Sequence, residues 1–130
     1  MYRIMEILEF NTQICTNIEQ SKRLLKLGLK SETADMCWFN DMEKPACTPY
    51  KYFVDNAEYM KWVFFPAWSL HRLIEMCNKT QFGMTISIYN NEVMLDGDLF
   101  EVYDNTYDNI ILVIERLIKG CNFKKEYLKQ

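Results

Sequence analysis

The segment between Asn105 and Gly120 constrains the fold of this chain more than any other part of the sequence. It reads NTYDNIILVIERLIKG, and its apolar residues cover most of the circumference of a helix. Asn105 can cap the start, Asp108 suits the positive end of the helix dipole, and Lys119 with Gly120 suits the end. About fifteen residues between two caps are too many for a typical strand. We therefore predict a helix over 106–119 and expect it to be the most buried element.

The sequence before this helix predicts an antiparallel meander. Residues 84–89 alternate between apolar and polar side chains, as a half-buried strand does. The dipeptides Asn90-Asn91 and Asp96-Gly97 suit the positive φ angles of tight hairpin turns. The predicted strands are 84–89, 92–95 and about 98–103, and the last helix is expected to pack on the sheet that they form.

End signals predict a helix early in the chain. Thr16 and Glu19 have the spacing of a capping box, in which each side chain binds a backbone N–H near the other residue. Gly28 can adopt the left-handed conformation that ends a helix. The predicted helix therefore runs over about 17–27.

A further helix is predicted over about 69–77. Ser69 is its expected N-cap, and Trp68 can pack on Leu73 as a hydrophobic staple. Short strands are predicted at 35–40 and 50–55. For residues 2–9 and 56–65 the sequence does not decide between helix and strand.

Size and composition are those of one domain. The chain has 130 residues, of which 49% are hydrophobic and 25% charged, and no composition shift divides it. The fold class is therefore predicted as α+β, a single domain over 1–130 with an antiparallel β-meander packed against two to three helices. Five cysteines without a CxxC pair are typical of reduced thiols in the cytoplasm. No apolar run approaches the ~20 residues that span a bilayer, so no membrane association is expected.

Three stretches carry a resemblance to a known group of proteins. They are ICTNIEQSKRLLKLGL, PAWSLHRLIEM and NTYDNIILVIERLIKG, in that order. The chain resembles small uncharacterised proteins encoded by phages, prophages and conjugative elements of Bacteroides-type bacteria, and residues 41–65 match least well. The resemblance implies a bacterial cytoplasm and an accessory gene, whose products often bind components of the host or of the element. No established activity comes with it, so no functional residue is carried over.

Catalytic and metal-binding patterns are weak. His71 is the single histidine, and Cys77, six positions further on, would lie roughly 240° away around a helix. The cysteines lack the close pairs of zinc sites. A calcium loop that began at Asp96 would need Glu at its twelfth position, where Tyr107 stands. We therefore expect no cofactor and no metal, and an enzyme only if the fold forms a pocket around His71 or a perturbed carboxylate.

The leading functional hypothesis is a small non-catalytic protein-interaction domain. Tyr and Trp are enriched at interface hot spots, and the stretch from Tyr50 to Trp68 is rich in aromatic residues, although such residues also line cores. The candidate partner-binding residues are Tyr59, Trp62 and Trp68. The sequence does not decide between monomer and homodimer.

Charge suggests two alternatives. Lys22, Lys26 and Lys30 recur every four residues and are candidate phosphate contacts of a nucleic-acid-associated protein, alone or together with the C-terminal lysines. A net charge of -3 disfavours a globally basic binder. The acidic stretch 92–108 could instead mimic nucleic acid and inhibit a DNA-binding host protein. Solvated surface would explain both sets of charges equally well.

Overall fold

The protein is described by a computed structural model that covers residues 12–39, 64–78, 85–100 and 102–129. This part of the chain contains three helices and two small antiparallel sheets, so the predicted α+β class is confirmed. The elements are α1 Ile18–Lys26, β1 Met36–Phe39, β2 Phe64–Ala67, α2 Leu70–Asn78, β3 Ile86–Tyr89, β4 Glu92–Leu95, β5 Asp98–Phe100 and α3 Thr106–Lys119. The strand predicted at 50–55 and the open segment 2–9 lie outside the described residues.

Helix α3 lies at the centre of the main core, as its apolar circumference predicts. Ile110, Ile111 and Ile114 are completely buried. The helix packs on β4 and β5 and also contacts α1 and α2, so it has neighbours on several sides. Burying each such side chain contributes roughly 1.5–3 kcal/mol, which makes α3 the main source of hydrophobic stability. Within the described residues, no helix is long and apolar enough to span a membrane.

The predicted meander is present, with a shorter last strand. Strand β4 pairs antiparallel with β3 on one side and with β5 on the other. Asp96 and Gly97 have φ angles of 48° and 89°, and two positive φ values are typical of a type I′ turn. Strand β5 ends at Phe100 rather than near Tyr103, because the side chain of Asn109 binds the backbone of Tyr103 and turns the chain into α3.

The second sheet joins two segments that are far apart in sequence. Strand β1 lies within the predicted strand 35–40, and its antiparallel partner is β2, with Met36 opposite Ala67. Strand β2 begins in the segment that the sequence left open. A small core cluster of Cys15, Met36 and Ala67 packs here.

The capping box of α1 is shifted by one residue from its predicted position. Asn17 Oδ1 accepts the Gln20 N–H at 2.8 Å, and Gln20 Oε1 accepts the Asn17 N–H at 3.0 Å. Thr16 is buried, and its hydroxyl accepts the Trp68 N–H and lies 2.8 Å from Ser21 Oγ. Because Thr16 is engaged in the core, the prediction of Thr16 and Glu19 as the box is wrong.

The C-terminal segment returns to the end of α1. Leu29 and Leu128 form an isolated antiparallel bridge. Lys30 donates its backbone N–H to Tyr127 O at 2.8 Å, and Lys129 donates to Gly28 O at 2.7 Å. This pairing begins directly after Gly28, whose φ of 103° ends α1 as predicted.

Candidate functional site

The meander has one face on the core and one face that carries exposed apolar side chains. We call the second the outer face; it consists of Thr85, Ser87, Tyr89, Glu92, Met94 and Leu99. Val93 and Leu95 point to the core, so Met94 between them points outward. The register places Met94 opposite Leu99, and these two side chains are 38% and 47% exposed. Tyr89 lies opposite Glu92 and is 72% exposed.

Exposed apolar surface is concentrated around this sheet. The described part of the chain has six large apolar side chains that are exposed: Ile14, Tyr89, Met94, Leu99, Val102 and Tyr103. Five of them lie between residues 89 and 103, on the outer face or in the segment that leads from β5 to α3. Scattered exposed apolar residues need no explanation, whereas a concentration of them marks an interaction surface.

Acidic side chains flank the apolar residues of the outer face. Glu92 lies two positions before Met94 on β4 and therefore on the same side of the sheet. Asp96 lies in the turn at the other end of β4, where its φ is positive; its Oδ1 accepts the Thr85 N–H at 3.0 Å, and it borders the cleft beside α3. The sequence contains no Lys or Arg between Lys79 and Arg116. Glu92 and Asp96 form no ion pair within the described residues. The outer face is therefore apolar at its centre, and an acid lies at each end of β4.

Three other acids, on β5 and α3, are paired with basic side chains. Asp98 lies 3.4 Å from Arg116, and Asp108 lies 3.4 Å from Arg23. Glu115 accepts from Lys119 at 2.9 Å, and this hydrogen bond, with the charge of Lys119, lowers the pKa of Glu115. The pair of Asp98 with Arg116 joins β5 to α3, and the pair of Asp108 with Arg23 joins α3 to α1, whereas the pair of Glu115 with Lys119 lies within α3.

Trp68 belongs to the core, which corrects its assignment as a candidate partner contact. Its side chain is completely buried, and its indole N–H donates to Thr33 Oγ1 at 2.9 Å. The backbone of Trp68 also exchanges hydrogen bonds with Thr16. Because both the ring and its polar atom are engaged inside the protein, Trp68 has no surface to offer. Tyr59 and Trp62 lie outside the described residues.

The three lysines predicted as a stripe do not share one helix. Lys22 and Lys26 are exposed on α1, and Lys22 Nζ lies 3.6 Å from Glu19. The helix ends at Lys26, and Gly28 turns the chain before Lys30, which is half-buried and extended. The spacing of four residues therefore stops being a helical spacing after Lys26.

The histidine and the described cysteines form no catalytic pair. His71 is exposed on α2, whereas Cys77 is completely buried. Burial raises the pKa of the Cys77 thiol to about 12. Burial also raises the pKa of Cys37 to about 11, against a smaller lowering by a hydrogen bond to the Phe65 backbone. Thiols held this firmly in the protonated form are poor nucleophiles near neutral pH.

A polar network connects the starts of α1 and α3. Gln20 is buried and donates to Asn105 Oδ1 at 3.1 Å and to Asp108 Oδ1 at 2.9 Å. Gln13 donates to Gln20 Oε1 at 2.6 Å and accepts from Asn105 at 2.8 Å. Among the described residues, no buried side-chain nitrogen or oxygen lacks a hydrogen-bond partner. The network therefore fixes the starts of α1 and α3 to each other and has no free group for a ligand.

Two surface clefts flank α3. One, of about 370 Å³, lies between α1 and α3 and is lined by Arg23, Lys26, Leu27 and Glu115. The other, of about 290 Å³, is lined by residues that include Leu95, Asp96, Arg116 and Asn122. Neither contains His71, and within the described residues no three His, Cys, Asp or Glu side chains are grouped to hold a metal.

The outer face was not singled out in the sequence analysis, although the sequence contains a signal for it. In a half-buried strand, the residues on the solvent side are expected to be polar. Met94 and Leu99 stand on that side in β4 and β5 and are apolar. Once the register is known, this departure from alternation identifies them.

Comparisons with protein-family models, curated proteins and solved structures found no match for this chain. The outer face and the charged surfaces described above are therefore the basis for a functional proposal.

Proposed function

We propose that this chain is a small non-catalytic protein-interaction domain that binds a partner protein on its outer face. The observation that carries the proposal is the concentration of exposed apolar side chains between residues 89 and 103. Interfaces derive most of their affinity from a few central side chains that become buried. Tyr89, Met94 and Leu99 form such a group, and burying the fraction of each that is exposed is worth roughly 0.6–2 kcal/mol.

The partner that this surface fits is a protein segment with cationic side chains around an apolar centre. Glu92 on the outer face and Asp96 in the turn at the other end of β4 have no ion-pair partner among the described residues. Opposite charges across an interface favour association, and like charges suppress it. Two copies that met face to face would place these carboxylates near each other, so a basic partner is favoured over a second copy of this chain.

The same surface supports the alternative of an acidic inhibitor that occupies the nucleic-acid site of a host protein. For that function the carboxylates would dominate the binding energy, and the apolar side chains would contribute little. The resemblance to proteins of mobile elements is compatible with either target. Cys37, Cys77 and Cys121 are free thiols, which supports placing both versions in the reducing cytoplasm.

The proposal is tested by isolating a partner and measuring its affinity. Protein captured from the native host by the tagged chain is identified, produced pure and titrated calorimetrically against the wild type and two matched variants. Leu99→Ser lies on the outer face, and Ile14→Ser removes a side chain of similar exposure outside it. We expect Leu99→Ser to weaken binding about three- to tenfold, since it loses roughly 0.7–1.4 kcal/mol from burial of the exposed half of Leu99.

Ile14→Ser is expected to change the affinity by less than about twofold. Equal effects of the two variants would contradict the outer face as the binding surface. Strong weakening by Glu92→Gln with Asp96→Asn, together with an unchanged affinity for Leu99→Ser, would favour the acidic inhibitor. Both acid variants keep the shape of the side chain, and Asn tolerates the positive φ of position 96.

A further inference from the structure

The lysines without an ion pair are grouped at one end of the molecule. Ten Lys and Arg side chains lie in the described ranges, and half of them contact a carboxylate: Lys22, Arg23, Arg72, Arg116 and Lys119. The other five form no ion pair with a described residue, and they are Lys26, Lys30, Lys124, Lys125 and Lys129. Each of these five lies within four residues of Leu29 or Leu128, the two residues of the isolated bridge.

The bridge brings the two groups of lysines together. Lys30 lies opposite Tyr127, and Lys129 lies opposite Gly28, so Lys30 and Lys129 occupy diagonal positions across the paired segments. Diagonal side chains of an antiparallel pair are about 7–8 Å apart and point to the same side. Lys129 is exposed and Lys30 is half-buried, so this side reaches solvent, while Leu29, Leu128 and the neighbouring Tyr127 contact the core.

The remaining lysines lie close to this pair in the chain. Lys124 directly precedes the short 3-10 turn Lys125–Tyr127 and Lys125 begins it, and the carbonyls of these two lysines accept the N–H groups of Tyr127 and Leu128. Lys26 is the last residue of α1 and is exposed. We call the five lysines the lysine patch.

Few acids oppose the lysine patch. Glu126 and Glu32 are the exposed acids nearest to it in sequence among the described residues. Glu75 of α2, which faces Tyr127, is already 3.9 Å from Arg72. The patch therefore keeps an excess of positive charge on a chain whose net charge is -3.

We propose that the lysine patch binds the phosphodiester backbone of a nucleic acid without reading its sequence. Lysine is a compact point charge on a flexible stem and pairs with single phosphates, whereas planar carboxylate recognition favours the arginine fork, which the patch lacks. Anionic membranes are usually bound by basic residues together with apolar anchors. The exposed large apolar side chains of the described chain lie at Ile14 and between residues 89 and 103, away from the lysines in sequence.

This site is independent of the outer face, since the two carry opposite charge and share no residue. A domain with both sites would hold a basic protein partner and a nucleic acid at the same time. The nucleic-acid site can fail without affecting the protein site, because Leu99→Ser and the lysine variants are measured with different ligands.

The test measures fluorescence anisotropy of three labelled probes of about sixteen nucleotides: single-stranded DNA, duplex DNA and single-stranded RNA. The full chain is titrated against each at several salt concentrations. Lys125→Gln with Lys129→Gln removes two exposed lysines of the patch, and Lys22→Gln with Arg116→Gln removes two paired basic residues elsewhere. The melting temperature of each variant serves as a check of folding.

We expect binding that weakens steeply with salt. The patch variant should lose about tenfold in affinity at low salt, and its slope of log affinity against log salt should fall by about two. For the control variant, the slope of log affinity against log salt should be at least half as steep as that of the wild type. Its affinity should fall by less than about threefold.

Three results would overturn the proposal. They are no binding of any probe at low salt, equal losses for the patch and control variants, and binding of vesicles that contain anionic phosphatidylserine in the absence of nucleic-acid binding. A Glu126→Gln variant provides a gain-of-function check. Glu126 lies between lysines of the patch, and its negative charge repels phosphate. Its removal should therefore tighten nucleic-acid binding about two- to threefold.

Discussion

At the scale of single residues, Asn109 connects three parts of the fold although it is a polar residue in an apolar helix. It is completely buried, donates to Asn91 O at 2.6 Å and to Tyr103 O at 2.9 Å, and accepts the Tyr103 N–H at 3.0 Å. It thereby ties the β3–β4 turn and the segment after β5 to α3. This role could not be predicted from the sequence, because a single Asn among Ile residues does not indicate which backbone groups its side chain will bind.

Asn109→Ala is expected to destabilise the protein by about 2–4 kcal/mol, since it removes three hydrogen bonds of roughly 1 kcal/mol each and leaves a cavity at a completely buried position. Asn109→Asp keeps the acceptor for Tyr103 but loses both donors and adds a charge, so it should destabilise at least as much. Urea unfolding of both variants measures these losses. Asn122→Ala, a half-buried Asn after α3, serves as a control that should cost less than about 1 kcal/mol.

Cys77 should make the folded state sensitive to alkaline pH. Its pKa is about 12 in the folded protein, against an ordinary value of 9.0. Below pH 9 the thiol is protonated in both states, so its contribution to stability is fully present. As the pH rises further, the unfolded chain loses this proton while the folded chain keeps it, and the contribution is lost progressively.

We therefore expect the free energy of unfolding to fall by about 1 kcal/mol or more between pH 8 and pH 10, in part through Cys77. Cys77→Ala should flatten this decline, and Cys121→Ser should leave it unchanged, because Cys121 is exposed. Denaturant unfolding at several pH values checks both variants. A decline that is identical in all three proteins would contradict the role assigned to Cys77.

At the scale of elements, local signals predicted the helix ends well but did not distinguish two glycines. Gly28 has a φ of 103°, as a helix-ending glycine should. Gly120 was expected to behave in the same way, but its φ is -84°, and the positive φ of 58° is adopted by the next residue, Cys121. The sequence NFKK after this point does not specify which of the two residues turns.

Gly28→Ala should therefore destabilise the protein by about 1–2 kcal/mol, because the Cβ of alanine is strained in the left-handed conformation. The space around it is empty, since a Cβ at position 28 would meet nothing within 4 Å. Gly120→Ala has no such strain, although its Cβ would approach Arg116 O at 3.3 Å, so a smaller loss is expected. Thermal unfolding of the two variants compares them directly, and an equal loss would contradict the assignment.

Pairings between distant segments could not be predicted from the sequence. The turns at Asn90 and Asp96-Gly97 involve neighbours in the chain, so their residue types indicate them. In contrast, β1 pairs with β2 across 24 intervening residues, from 40 to 63, and Leu29 pairs with Leu128. The hydrophobic periodicity of a strand does not indicate with which distant segment the strand will pair. The lysine patch, which depends on the second of these pairings, could be suspected from charge alone but not located.

At the scale of the whole molecule, the described surface divides into an anionic, apolar sheet face and a cationic end. The sequence contained both charge groups, and the fold explains why they stay apart: the acids lie on the meander and at the start of α3, and the unpaired lysines lie around the Leu29–Leu128 bridge. Of the five paired bases, Arg23 and Arg116 join different elements, and the other three pair within their own helix. The charges that remain unpaired are the ones available to partners.

Photo-crosslinking inside the native host tests whether a partner protein binds the outer face. Benzoylphenylalanine replaces Tyr89, which is 72% exposed on the outer face, and in a second protein it replaces His71, which is exposed on α2. The account predicts a covalent adduct with one other protein from position 89 and none from position 71. Absence of an adduct at position 89, an equal adduct at both positions, or an adduct with a second copy of this chain would contradict it.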